Sequence, residues 1–161
     1  MQFKGEYITL KELSVDYFDD YIAMFSPLVK RLLHVTSDSC ERTYLEHCLS
    51  EHRERRQFFF CIFDNQNNQL IGAIGLRLPQ DSRGQLGSWI NEKYWGNNRY
   101  QESLKLLTDA YFERSGVDVI TANIYADNQR SYKAHKKFGF IDIATINGPH
   151  GKQYVLVYKR K

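Results

Sequence analysis

The chain has 161 residues, 42% of them hydrophobic and 25% charged, which fits one compact domain with its own core and argues against disorder. A formal net charge of +3 is too small to argue for nucleic acid as a partner. No apolar run approaches the roughly 20 residues of a membrane span. Aromatics reach 14%, so a ring-rich core or cleft is expected. Cys40, Cys48 and Cys61 are odd in number and share no CxxC spacing. They predict buried reduced thiols rather than a disulfide framework or a structural zinc site, and no metal is expected. The opening MQFKGEYITL lacks a charged-then-apolar signal pattern, which points to the cytoplasm.

In chain order, Tyr7–Leu13 alternates like a first strand. Asp16–Phe25 reads as a helix with Phe18, Tyr21, Ile22 and Phe25 on one stripe, and Pro27 interrupts it. Ser39–Arg56 reads as a longer helix, capped by Ser39 or Asp38, with Tyr44, Leu45, Cys48, Leu49 and His52 at helical spacing. Gln57–Phe63 (QFFFCIF) is a buried strand, Asp64–Asn68 a hairpin turn and Gln69–Leu78 the return strand. Gly72 and Gly75 in that strand suggest a bulge or a close backbone approach. Asp81–Gly84 is a second turn and Gln85–Asn91 a further strand, so an antiparallel meander is expected. Gln101–Arg114 is then a helix ended near Gly116, Val117–Tyr125 a strand, and Asn128–Phe138 a helix stopped at Gly139. Phe140–Ile146 and Gln153–Tyr158 close the chain around the turn Asn147–Gly151. No repeat or linker divides this order, so it describes one α/β (α+β) domain around a mixed sheet.

The stretch WGNNRYQESL, from Trp95 to Leu104, joins a strand to a helix. A polar loop feeding a helix start is an anion site, because free N–H groups and the helix dipole favour negative charge.

Four stretches make the chain resemble the GNAT N-acetyltransferase superfamily, and most of all its branch of ribosomal-protein N-terminal and spermidine acetyltransferases. They are LIGAIGLRL, GSWINEKYWGN, ESLKLLTDAYFE and ANIYADNQRSYKAHKKFGF. The likeness covers nearly all of residues 1–161. It implies a single GNAT-like domain: about seven strands with a splayed parallel pair, and about four helices. It also implies acetyl transfer from acetyl-CoA, as cosubstrate, to a primary amine by direct attack. The pantetheine arm would pair with backbone at Trp89, Ile90 and Asn91. The pyrophosphate would sit on Gly96, Asn97, Asn98, Arg99, Tyr100 and Gln101. Asn128 and Ser131 match the motif's Asn and Ser. Asn128 is an N-cap candidate on its own and, by resemblance, touches the pantetheine arm.

The family's candidate acid is a tyrosine seven residues after the motif asparagine. That position here is His135, which can donate a proton near neutral pH. The loop departs from the family pattern in that Asn98 and Tyr100 stand where glycines are usual. Asn tolerates a left-handed backbone. A ring at Tyr100 either fills the pyrophosphate space or points away while Arg99 contacts a phosphate. The enzyme reading therefore stands beside a second one, a non-catalytic GNAT-fold module with a degenerate CoA loop.

Other constellations are weaker. His47 and Glu51 share a helix face, but His52 is off metal-ligand spacing and no HExxH exists. Gly-x-Ser-x-Gly and P-loop motifs are absent. Glu92 is not singled out as a general base. Lys30, Arg31 and His34 would suit an acceptor with an acidic part. Leu32, Leu33 and Val35 are candidates for core or for a homodimer surface. An N-terminal peptide and a small amine remain equally open as acceptor.

Overall fold

The computed structural model describes residues 1–35, 41–78 and 84–161. The expected caps at Asp38 and Ser39, Cys40 and most of the Asp81–Gly84 turn lie outside the described residues. The strands are β1 (Gln2–Lys4), β2 (Ile8–Glu12), β3 (Gln57–Asp64), β4 (Leu70–Arg77), β5 (Gly84–Ile90), β6 (Val119–Tyr125), β7 (Ile141–Gly148) and β8 (Gly151–Lys159). The α-helices are α1 (Phe18–Met24), α2 (Pro27–Leu32), α3 (Glu41–Arg53), α4 (Arg99–Ser115) and α5 (Gln129–Phe138).

Among the described residues the strands form one sheet of eight in the order β1-β2-β3-β4-β5-β6-β8-β7, one more than the sequence suggests. The added strand is β1, a short edge piece paired to β2, whose half-exposed residues carry no period that marks a strand. The fifth helix arises because Pro27 starts a helix rather than only ending one. It occupies the first turn of α2, where its missing N–H costs nothing, and Ser26 Oγ accepts from the Val29 N–H at 3.2 Å.

The expected meander β3-β4-β5 is antiparallel throughout. β5 and β6 are the parallel pair. They pair only at Gly84–Ile120, Gln85–Thr121 and Leu86–Ala122. Beyond that point β5 runs on to Ile90 and β6 to Tyr125 without pairing each other, so the sheet opens.

Helices cover both faces. Alternate residues of β3 explain why: Phe60 and Ile62 enter a core with Leu104, Leu107 and Tyr111 of α4. Phe59, Cys61 and Phe63 enter a second core with Phe18 and Tyr21 of α1 and Leu45 and Leu49 of α3. A strand buried on both sides reads as an unbroken apolar run, as QFFFCIF does. α4 ends on Gly116, whose φ of +72° is the left-handed stop that glycine supplies.

Candidate active site

The site lies where β5 and β6 part, between the starts of α4 and α5. Gly96, Asn97 and Asn98 have φ of +87°, +53° and +64°, three left-handed residues in a row. This bends the loop so that α4 begins abruptly at Arg99, and Asn98 makes no side-chain cap. The first-turn N–H groups of Tyr100 and Gln101 thus face forward without an intrahelical acceptor. A side chain added at Gly96 would meet nothing within 4 Å, so the loop is open above. Asn98 takes the left-handed backbone expected of it. Tyr100 lies inside the helix and needs no special φ.

Tyr100 does not project into the loop. Its ring packs against the main core, and its hydroxyl runs down between β5 and α5. There Tyr100 Oη is 2.5 Å from Ser88 Oγ and 2.9 Å from His135 Nε2. His135 is 3% exposed, and its Nδ1 is 2.7 Å from the Ser131 carbonyl and 3.3 Å from Ser131 Oγ. Burial lowers the His135 pKa below its ordinary value, so the ring is neutral. Burial also raises the Tyr100 phenol well above its usual value, so it keeps its proton.

Carbonyl oxygen can only accept, so Nδ1 carries the imidazole proton and Nε2 is bare. Tyr100 O–H then donates to Nε2. Ser88 O–H donates to Tyr100 Oη, because the phenol's one hydrogen is already used. Both His135 nitrogens are taken, and Ser88 ends the chain.

The strand register also sorts the groups expected to line the groove. Asn91 N–H donates to Ile71 O of β4 at 2.9 Å. Backbone groups alternate in direction along a strand, so Trp89 and Asn91 face β4, whereas Ser88 and Ile90 face the opened side. Ile90 O already accepts from Trp95 Nε1 at 2.7 Å. Trp89 sends its ring to the other face, where its Nε1 donates to Tyr21 Oη at 3.0 Å. Asn91 Nδ2 donates to Met24 O at 2.8 Å, so that side chain secures α1. Ser88 escapes a reading by residue type because only register gives it its direction.

Arg99 has another partner too. Its Nε is 3.0 Å from Asp64 Oδ1, and the two side chains are 13% and 3% exposed. The cation next to the groove is Arg130 instead. Its guanidinium lies 3.8 Å above the Trp95 ring centroid, and it borders the groove with Gly96, Tyr100 and Ser131. Gln101 Nε2 donates to Ala134 O at 2.9 Å, tying α4 to α5. Asn128 Oδ1 accepts from the Ser131 N–H at 3.3 Å, the expected N-cap of α5.

On the other face of the sheet is a cavity of about 530 Å³, bordered among the described residues by Tyr21, Phe25, Phe59, Trp89, Glu41 and Arg77. Two of the side chains expected to greet an acidic acceptor lie beside carboxylates of this chain: Lys30 pairs with Glu41 at 2.9 Å, and His34 Nε2 is 3.4 Å from Asp127 Oδ2. Glu92 Oε2 accepts from Ser26 Oγ at 2.5 Å and so secures the start of α2.

A parallel pair that splays beside an uncapped helix start is the geometry the motifs anticipate, and the acetyltransferase (GNAT) domain matches residues 8–141. The chain belongs to the GNAT acetyltransferase family. No curated protein sequence matches it. Among solved structures, this GNAT domain is similar to an acetyltransferase from Salmonella typhimurium that modifies the N-terminal serine of the 50S ribosomal subunit protein L7/L12. The identity is 14%, all of both chains is covered, and the TM-score is 0.88. It is also similar to the ribosomal-protein-S5-alanine acetyltransferase of Vibrio fischeri, at 16% identity over 99% of this chain and 97% of that one, TM-score 0.81. A ribosomal L7/L12 α-N-protein acetyltransferase in complex with coenzyme A matches at 15% identity over 97% and 96% of the chains, TM-score 0.82. At these identities the likeness establishes the fold of the GNAT domain. Among the described residues no helix is long and apolar enough to cross a membrane.

Proposed function

We propose that this GNAT protein is an acetyl-CoA-dependent N-acetyltransferase acting on a primary amine, at a protein or peptide N-terminus or on a small molecule, by direct attack in a ternary complex. The observation that carries the proposal is the start of α4. Three left-handed residues present uncapped N–H groups to an open space beside the parted strands, with Arg130 at its edge. The residues fit the cosubstrate. The N–H groups and Arg130 would hold the pyrophosphate, since donors fixed by the fold need no reordering when an anion arrives. Ser88 and Ile90 turn their backbone toward the gap where the pantetheine arm would run. The cavity on the opposite face, rich in rings, would take the acceptor. The buried free thiols of Cys48 and Cys61 fit a reducing compartment such as the cytoplasm.

The test is direct. Calorimetric titration with acetyl-CoA is expected to give a dissociation constant on the order of 10 μM, within the common range for enzyme substrates. Amines and peptide N-termini are then screened for release of free thiol. Affinity no better than millimolar would sink the proposal.

One observation favours the second reading, a non-catalytic module. Tyr100 bridges β5 and α5 beside a groove whose free space is only about 60 Å³. If the ring obstructs, Tyr100→Gly will raise acetyl-CoA affinity at least tenfold. On the enzyme reading it raises affinity little and lowers turnover.

A further inference from the structure

Among the described residues, three border both the groove and the opposite cavity: Leu33, Ser88 and Trp89. Leu33 has no exchangeable proton, and the Trp89 indole N–H is already given to Tyr21. Of these three, Ser88 carries the hydroxyl, and that hydroxyl lies on the groove side with Tyr100. That hydroxyl heads a chain with a fixed direction: Ser88 O–H to Tyr100, Tyr100 O–H to the bare Nε2 of His135, and Nδ1–H to the Ser131 carbonyl. Each link has its donor settled by the next, and the last is settled by a carbonyl that can only accept. As built, the chain can take in one proton at Ser88 and store it at His135 Nε2. It cannot give one out until it has been loaded.

We propose that Ser88, Tyr100 and His135 form a proton shuttle, with Ser88 the catalytic residue that first accepts a proton from the attacking amine and then returns it to the leaving sulfur. The proposal rests on the acetyltransferase reading above. The neutral amine attacks the thioester carbonyl carbon, forming the C–N bond and a cationic nitrogen. The amine N–H proton passes to Ser88 Oγ, the Ser88 proton to Tyr100 Oη, and the Tyr100 proton to His135 Nε2. The C–S bond then breaks, and the sulfur leaves with the electron pair. Reversal of the three hops delivers a proton to it. The sum is amine plus thioester to amide plus thiol, with no proton exchanged with solvent. The imidazolium exists only between the two halves, and the Ser131 carbonyl stabilises it through Nδ1–H. The shuttle explains why the polar group in the wall is a tyrosine lodged at the second residue of α4. Its ring reaches from α4 into the space between β5 and α5, and its hydroxyl joins Ser88 to His135 there.

Two variants and one spectrum test the shuttle. Tyr100→Phe keeps the ring and removes the hydroxyl, and Ser88→Ala removes the hydroxyl that ends the chain. Each is expected to lower kcat about 100-fold, the lower end for positioned acid–base groups, with acetyl-CoA affinity little changed; Tyr100→Phe also lowers the melting temperature, because it leaves the buried His135 Nε2 without a donor. Because the residues act as one unit, the double variant should be no slower than either single one. Wild-type turnover in mixed light and heavy water should show more than one proton in flight, and Tyr100→Phe should remove that signature. Full kcat in Tyr100→Phe, or losses that multiply in the double variant, would overturn the shuttle while leaving the acetyltransferase reading intact. The nitrogen spectrum of His135 in the resting protein needs no turnover. It should show the Nδ1–H tautomer, and an Nε2–H tautomer would overturn the shuttle whether or not the protein acetylates anything. Failure to bind acetyl-CoA would instead strike the acetyltransferase reading.

Discussion

The two helices that flank the groove both begin on an asparagine, and they use it in opposite ways. At α5, Asn128 folds its side chain over the helix start and accepts from the Ser131 N–H at 3.3 Å. At α4, Asn98 makes no side-chain cap and contributes only a left-handed backbone, φ +64°. The first helix start is closed on itself. The second keeps its donors for something else. One residue type thus serves two ends, because asparagine is both a good capping acceptor and the non-glycine residue that best tolerates left-handed backbone. The difference also explains what holds α4 in place without a cap: its first residue, Arg99, is anchored to Asp64 at the end of β3.

That anchor offers the largest way to break the contrast. Asp64→Ala leaves Arg99 nearly buried and unpaired, which should cost about 3 kcal/mol in urea unfolding and weaken acetyl-CoA binding as the α4 start shifts. A loss under about 1 kcal/mol would mean that the left-handed loop alone positions the helix. Next in size is Arg130→Ala, which removes the cation beside the open helix start. The dissociation constant for acetyl-CoA should rise about tenfold, near 1.4 kcal/mol, and become less sensitive to salt, with unfolding unaffected. The smallest effects compare the asparagines directly. Asn128→Ala should cost about 1 kcal/mol of stability through the lost cap. Asn98→Gly should cost nothing and gain a few tenths, since glycine takes the same backbone without strain. Equal losses at both positions, read from paired unfolding curves, would erase the distinction.

A further contrast lies between the groove and the cavity on the opposite face. The groove is lined by groups whose direction is set by register and capping. The opposite cavity carries rings that already contact each other, such as Trp89 with Tyr21 at 5.0 Å between centroids and with Phe25 at 4.9 Å. Lys30, expected to meet an acidic acceptor, already meets Glu41 within the chain.

The sequence by itself determined what depends on neighbours along the chain. Its periods and turn residues located the meander, α4, α5 and the closing hairpin within a few residues, and its motifs named the family. Asn98 could be read as left-handed and Asn128 as a cap because both properties are local. Only the tertiary structure decided where Tyr100 points, which residue meets the groove and which cation borders it. Ser88, Tyr100 and His135 come from three separate elements, and nothing in their spacing predicts that one hydroxyl falls within 3 Å of both others. Likewise Arg99 looked like the loop's cation until Asp64, 35 residues earlier, took it. Hydrogen-bond direction needs all partners present at once, and strand register turns every second backbone group away from the opening. Those are properties of convergence, and a single chain read in order does not contain them.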